Sequence, residues 1–290
     1  MEMVRQTRRG NFAFLAFIAA SLILYLAPLR LLFRWAWGND TFSYIPLIPL
    51  VSAYLVYEYR NRIFTGFDRW HPAGAVPIAF AILLYTHGAS IGDQLPQPDY
   101  LVLMTLSFVC LLIGGLGLFY GVAAWKAAVF PMIFLLFTVP IPALLLDPIV
   151  VFLQTWSADV SYLFFRLTGV PVYRDGFFFH LPGLTIQVAK ECSGIRSSIS
   201  LFLVSLLAGH LMLRENWRKT ALTLSIVPIT IIKNAVRIVT LTLLGAYVDP
   251  MILRSVAHRR GGIPIFLLAL GLLGCVLWIL RRGERKGSGK

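Results

Sequence analysis

A cysteine and an arginine stand close together at the start of an apolar run, in residues 188–198 (VAKECSGIRSS). If Cys192 begins a helix, unpaired backbone N–H groups and the positive end of the helix dipole stabilise a thiolate there. Lys190 and Arg196 add positive charge nearby. The stretch therefore suits a nucleophilic thiol, and the structural alternative is a small residue tolerated at a helix start.

A second polar group lies inside the apolar stretch IIKNAVRIVTLTLL. An arginine within a membrane span costs at least about 2.5 to 3.5 kcal/mol, so Arg237 is expected to have a function. Lys233 precedes it by four residues and shares its helix face, with Asn234 beside them. Snorkelling is the alternative, but Arg237 lies about ten residues from the predicted outer end of its span. We expect this basic face to point into the helix bundle or into a water-filled cleft.

A third polar group is the histidine of SVAHRRGGIP, His258. Imidazole exchanges protons near neutral pH and is the usual partner of a cysteine nucleophile. A histidine that merely lies at the membrane interface is the alternative, and His180 is a rival imidazole. The remaining histidines look structural: His71, His87 and His210. Thiol, guanidinium and imidazole come from three consecutive predicted spans, all on the outer side.

The composition of the chain indicates that these polar groups belong to a membrane protein. Hydrophobic residues make up 58% of the chain and charged residues 13%, with a mean hydropathy of +0.77. A soluble domain has about 25% charged residues. The chain is therefore predicted to be an all-α polytopic membrane protein.

Charge and cysteine content exclude other classes of protein. The net charge of +13 sits in short gaps between apolar runs, which is the positive-inside pattern and not a nucleic-acid-binding surface. With 3 cysteines we expect no disulfide framework. No His or Cys pair has metal-ligand spacing and no phosphate loop is present, so neither metal nor cofactor is expected. The glycines of residues 114–117 (GGLG) indicate close helix packing.

Eight spans are predicted from the apolar runs, at residues 11–31, 42–59, 73–91, 100–123, 127–146, 192–213, 221–247 and 263–280. Both basic termini are expected in the cytoplasm, which requires an even number of spans. Residues 147–166 are broken by polar side chains, so parity predicts an interfacial or partly re-entrant helix there.

This topology divides the chain into four regions. Residues 1–146 form a five-helix membrane region, and residues 147–191 carry the interfacial helix and an extracytoplasmic hairpin. The hairpin prediction rests on β-prone runs at 170–173, 177–180 and 184–188, separated by turn signals. Residues 192–280 form a three-helix catalytic region, and residues 281–290 form a basic cytoplasmic tail.

The three polar groups resemble the exosortase and archaeosortase family of integral membrane enzymes. The family motifs A-x-x-C-S-G, N-x-x-R and H-x-x-x-G stand at residues 189–194, 234–237 and 258–262. The resemblance covers residues 147 to the end, and the first four spans match only in hydropathy. It implies a cysteine transpeptidase (a thiol protease) that processes proteins bearing a Pro-Glu-Pro-like motif, a transmembrane helix and a basic tail.

The resemblance also assigns roles. Cys192 would be the nucleophile, Arg237 the stabiliser of the developing oxyanion and His258 the group that transfers protons. A thioester would form and be resolved by an acceptor. Further residues are expected to bind the substrate, with lipid headgroup contact as the alternative for the basic ones: Lys190, Arg196, Asn234, Arg259 and Arg260.

Two other classes of function compete with this interpretation. A transporter or lipid-carrier protein of exopolysaccharide export would use Lys233 and Arg237 to bind an anion. A non-enzymatic scaffold for such export is the third possibility. In the enzymatic interpretation the partners are the lipid bilayer and membrane-anchored substrates, the location is the cell (inner) membrane, and the active site faces outward.

Overall fold

The computed structural model describes residues 2–64, 71–249 and 262–287. Over these residues the chain is mostly helical, with eleven α-helices and one three-stranded antiparallel sheet. It divides into two compact units, Met1–Ala143 and Leu144–Lys290.

The first unit is built around its longest helix. Its helices are α1 (Glu2–Leu24), α2 (Leu26–Gly38), α3 (Leu47–Glu58), α4 (Arg60–Ile63), α5 (Ala75–Ile91) and α6 (Gln97–Leu136). Helices α1 and α2 meet at an angle of 67° across Tyr25. The Tyr25 hydroxyl lies 2.5 Å from Ser107 Oγ, which donates to the Ala81 carbonyl at 2.6 Å. This buried polar chain links the bend to α5 and α6.

Glycines let α5 and α6 approach closely. A Cβ on Gly74 would lie 2.3 Å from the backbone nitrogen of Leu118, and one on Gly114 would lie 2.6 Å from Ile78 Cγ1. A Cβ on Gly115 would collide with the Phe17 ring at 2.2 Å. The predicted packing role of the GGLG segment is confirmed.

Helix α6 folds back on itself at Gly121. This residue has φ +73° and ψ −171°, a conformation that glycine adopts without steric penalty. Beyond it, Trp125 Nε1 donates to the Ile113 carbonyl at 2.8 Å, although a straight helix would separate these residues by about 18 Å. The chain therefore turns at Gly121. The predicted spans 100–123 and 127–146 instead place the turn near Lys126.

The second unit contains α7 (Ala143–Leu167), which begins at the boundary, and then a small sheet. The strands are β1 (Tyr173–Asp175), β2 (Phe178–Leu181) and β3 (Leu184–Gln187). Four helices follow: α8 (Ile195–Met212), α9 (Asn216–Leu224), α10 (Ile226–Tyr247) and α11 (Gly262–Gly287).

Two apolar clusters hold this unit together. In the first, Phe179 of β2 packs against Phe165 of α7 with ring centroids 5.4 Å apart, and Ile238 and Val239 of α10 join them. The second cluster joins α8, α9, α10 and α11, with Leu222 fully buried. Helix α10 thus contributes to both clusters.

The observed helices differ from the eight predicted spans. Among the described residues, six helices are long and apolar enough to cross a membrane, or seven if the bent α1–α2 pair forms one span. These six are Pro72–Gln94, Gln97–Leu136, Ala143–Leu167, Ile195–Met212, Asn216–Tyr247 and Pro264–Glu284. Helix α3 has only 12 residues, about 18 Å, and is not among them.

Helix α7 departs from the predicted interfacial segment because its polar residues pack inside the protein. Gln154, Ser157 and Ser161 are buried along one face. Asp159 forms an ion pair with Arg174 of β1 at 2.5 Å. These side chains are therefore satisfied or enclosed by protein, and α7 has the length and composition of a span.

Candidate functional site

Cys192 lies in a short turn between the sheet and α8. Residues Lys190–Ser193 form a single 3₁₀ turn, and the next residue, Gly194, adopts a left-handed conformation with φ +77°. The prediction that Cys192 begins a helix is wrong, because the change of direction at Gly194 delays α8 until Ile195. The side chain of Cys192 lies outside the part of the chain that the structure describes.

The turn is held at its N-terminal end by Val188. The Val188 N–H donates to the Phe177 carbonyl at 2.9 Å. Its own carbonyl accepts a hydrogen bond from Gln154 Nε2 of α7 at 2.6 Å, and both residues are buried. Helix α7 therefore anchors the strand end that leads into the turn.

At its C-terminal end the turn is held by the Gly194 carbonyl. This oxygen accepts from the Ser198 N–H at 3.0 Å, and from Ser197 Oγ and Ser198 Oγ at 2.8 Å each. Ser193 is fully buried, and its hydroxyl accepts from the Ile195 N–H at 3.4 Å. These contacts fix the junction between the turn and α8.

Helix α10 brings the second motif against this junction. A Cβ on Gly194 would lie 3.3 Å from both Cγ and Oδ1 of Asn234. The preceding residue, Lys233, donates from Nζ to Ser197 Oγ. Lys233 and Asn234 are buried, with exposed fractions of 4% and 1%. The first two motifs therefore meet in space.

Apart from Glu191, the charged residues contributed by the turn, α8 and α10 are basic. Lys190 and Arg196 are exposed on the turn and on the first turn of α8. Arg237 is half-buried on α10, one helical turn after Lys233. Such a positive environment stabilises a thiolate and the oxyanion that forms when a carbonyl is attacked.

The third motif is the segment that begins at His258. His258, Arg259 and Arg260 lie outside the described residues. The rival imidazole, His180, stacks on Tyr173 of β1 at 5.8 Å, and its Nδ1 lies 3.1 Å from Thr185 Oγ1 of β3. It is thus engaged within the sheet.

Two contacts of the site were not predicted. The sequence placed Lys233 on a basic face with Arg237 but gave it no partner, and Ser197 was not singled out. Their pairing depends on how α8 crosses α10, which local patterns do not specify. Gln154 is one of the polar residues in 147–166 on which the prediction of an interfacial helix rests, but it is buried and donates to the Val188 carbonyl.

The opposite end of α8 carries a separate polar cluster. Glu284 of α11 accepts hydrogen bonds from the backbone N–H groups of Arg214 and Glu215, at 2.8 Å each. Arg218 pairs with Glu215 at 2.7 Å and donates to the Leu280 carbonyl. The basic loop after α8 and the end of α11 therefore lie together, at the far end of α8 from Cys192.

Comparison with protein families gives a match to the transmembrane exosortase model over residues 35–275. No curated protein and no solved structure matches the chain. The matched residues include the turn with Cys192, the Asn234–Arg237 segment and the His258 segment. Because the match spans most of the sequence, the chain belongs to the transmembrane exosortase family.

Proposed function

We propose that this protein is a membrane-embedded cysteine protease and transpeptidase that cleaves C-terminal sorting signals and transfers the released protein to an acceptor. The single observation that carries the proposal is the contact between Gly194 and Asn234, which joins the cysteine motif to the arginine motif. Family membership supports the same reaction class. The competing transport function has no comparable support.

The reaction proceeds in two stages. The Cys192 thiolate attacks the carbonyl carbon of the scissile peptide, a C–S bond forms, and Arg237 stabilises the negative charge on the carbonyl oxygen. The C–N bond then breaks, and His258 gives a proton to the leaving amine. An acceptor amine or water then attacks the thioester carbonyl carbon and gives its proton to His258, and the C–S bond breaks to release the thiolate.

Helix lengths support an active site at the membrane surface. The Asn216–Tyr247 stretch of 32 residues is about 48 Å long, whereas the hydrocarbon layer is about 30 Å thick. The antiparallel α8, with 18 residues, is about 27 Å long and begins beside Lys233. The second half of α10, with the sheet packed on it, would then project beyond the hydrocarbon and leave Cys192 near its outer boundary.

The arrangement of the ends supports the orientation. The loop that begins at Arg214 and the end of α11 near Glu284 lie together, as expected if both are cytoplasmic. The turn with Cys192 is at the other end of α8 and would face outward. Lys190 and Arg196, both exposed at this end of α8, would then contact an acidic residue of the sorting signal, together with Arg259 and Arg260.

A cleavage assay tests the proposal. A tagged membrane protein with a C-terminal sorting signal is incubated with the wild-type chain and with Cys192→Ala, Arg237→Ala and His258→Ala. We expect each variant to lose processing, and the wild type to form a covalent adduct at Cys192. Cys110 and Cys275 are free thiols, so the double variant Cys110→Ala/Cys275→Ala is the matched control and should retain activity. Cleavage by Cys192→Ala would refute the proposal.

A further inference from the structure

Lys233 is a buried lysine with an unusual partner. Lysine is rarely enclosed in a protein unless it is paired, yet Lys233 has an exposed fraction of only 4%. Its hydrogen bond goes to the hydroxyl of Ser197 on α8. Neither of the two salt bridges seen among the described residues involves Lys233. The placement of this ammonium group therefore calls for an explanation beyond ion pairing.

The hydrogen bond from Lys233 continues into the turn that carries Cys192. Ser197 Oγ accepts from Lys233 Nζ and donates to the Gly194 carbonyl at 2.8 Å. Gly194 is the residue at which the chain leaves the turn and enters α8. A chain of two hydrogen bonds thus runs from the middle of α10 to the backbone two residues after the cysteine.

Helix α10 holds Gly194 from two directions with adjacent residues. Asn234 packs on the α-carbon side, at 3.3 Å from the position of a Cβ. Lys233 reaches the carbonyl side through Ser197. Simple packing would need only an apolar side chain at position 233, and a lysine adds a charge and a directed donor.

We propose that Lys233, acting through Ser197, is a positioning residue that fixes the Cys192 turn on α10 and keeps a positive charge beside the thiol. The inference rests on the proposed function, because it assigns Lys233 to the same site. Lys233 touches neither substrate nor reacting atoms in this proposal. Its contribution is the geometry of the turn and the electric field at the cysteine.

The test measures Cys192 directly, in the full-length protein purified in detergent. In the Cys110→Ala/Cys275→Ala background Cys192 is the sole thiol, so its rate of alkylation by iodoacetamide can be followed against pH. The other charged groups contributed by the turn, α8 and α10 are Lys190, Glu191, Arg196 and Arg237, with His210 at the far end of α8, and all five are kept. Lys233→Met, Lys233→Arg and Ser197→Ala are compared in this background.

We expect Lys233→Met to raise the midpoint of the rate–pH curve by about one pH unit, so that alkylation at pH 7 slows about tenfold. Lys233→Arg keeps the charge and should hold the midpoint near that of the parent chain. Ser197→Ala keeps the charge but removes the relay. Its midpoint should move by less than half as much, while sorting-signal processing falls about fivefold.

The matched control is Thr242→Val. Thr242 is buried in the same helix, and its hydroxyl donates to the Ile238 carbonyl of that helix at 2.7 Å. This variant should leave both the midpoint and processing unchanged. If Lys233→Met fails to fold, as judged by thermal unfolding, Ser197→Ala and Lys233→Arg still decide the question.

The proposal is overturned if Ser197→Ala processes the sorting signal as well as Thr242→Val does, if Lys233→Arg shifts the alkylation midpoint despite keeping the charge, or if a folded Lys233→Met leaves that midpoint in place. It is also overturned if Ser197→Ala abolishes a cleavage that survives Cys192→Ala, since Ser197 would then be a nucleophile. Failure of the inference is separable from failure of the proposed function. Alkylation reports on the thiol without any substrate, whereas Cys192→Ala reports on the reaction.

Discussion

Asn234 packs so closely against Gly194 that a Cβ at position 194 would lie 3.3 Å from its Cγ and its Oδ1. Gly194 also has a φ of +77°, a conformation that costs a residue with a side chain about 1–2 kcal/mol. Both properties favour glycine at this position. Because glycine leaves room for Asn234, two residues that are 40 positions apart in sequence come together at one site.

Gly194→Ala should therefore both destabilise the protein and reduce processing. The left-handed backbone contributes about 1–2 kcal/mol, and crowding against Asn234 adds about 1 kcal/mol. Thermal unfolding in detergent and the cleavage assay measure the two effects.

Gly183→Ala is the control for this substitution. Gly183 has the same φ of +77°, but beyond its chain neighbours no atom of the described residues lies within 4 Å of its Cβ position. It should show the backbone penalty alone and retain processing. Equal effects of the two substitutions would mean that the Asn234 contact has no energetic weight.

Gln154→Leu should loosen the strand end before Cys192. The substitution removes the donor to the buried Val188 carbonyl, and leaving such a group without its partner costs about 1–3 kcal/mol. We expect a lower unfolding temperature and slower processing. Gln187→Leu, in the exposed part of β3, is the matched control and should change unfolding by less than about 0.5 kcal/mol. A larger loss in the control would contradict the role given to Gln154.

Gly74→Ala should destabilise the first unit without acting on the chemistry. Its Cβ would lie 2.3 Å from the Leu118 nitrogen and 2.5 Å from the Gly114 carbonyl oxygen, and backbone atoms cannot move aside cheaply. We expect about 1–3 kcal/mol of destabilisation by thermal unfolding. In α11, no atom of the residues that the structure describes lies within 4 Å of a Cβ on Gly271, chain neighbours and the helix backbone aside, so Gly271→Ala should be neutral. The packing argument fails if the two variants unfold alike.

The proposed orientation predicts which side of the membrane each end of α8 faces. In whole cells, an impermeant maleimide should label Cys192 as the sole thiol. A cysteine introduced by Asn216→Cys in a cysteine-free chain should react only after the membrane is permeabilised. Asn216 is exposed at the start of α9, beside the basic loop. The reverse pattern would invert the topology.

The sequence predicted the helical membrane class and the exosortase family, because the first depends on composition and the second on short local motifs. It also predicted the role of the glycines at 114–117. It misplaced the turn in α6, since a glycine within an apolar run carries no local sign that its φ is positive. Gly121 adopts that conformation so that the second part of α6 can pack against the first.

Helix α7 shows a second limit of local patterns. Its polar residues suggested an interfacial helix, but they serve contacts within the fold, as with Gln154 and the Val188 carbonyl. Similarly, Lys233 was recognised as an intramembrane cation, whereas its partner Ser197 comes from a helix crossing. Spacing along one helix predicts which residues share a face, and the identity of the opposing side chain depends on tertiary structure.

The segment that carries Cys192 is tied at both ends, at Val188 to α7 and at Gly194 to α10. Only five residues lie between these two positions. Most of their conformational freedom is therefore lost when the protein folds and not when a substrate arrives. In the proposed reaction, loop entropy would then oppose complex formation very little, and the scissile bond would be brought to a backbone that is already in place.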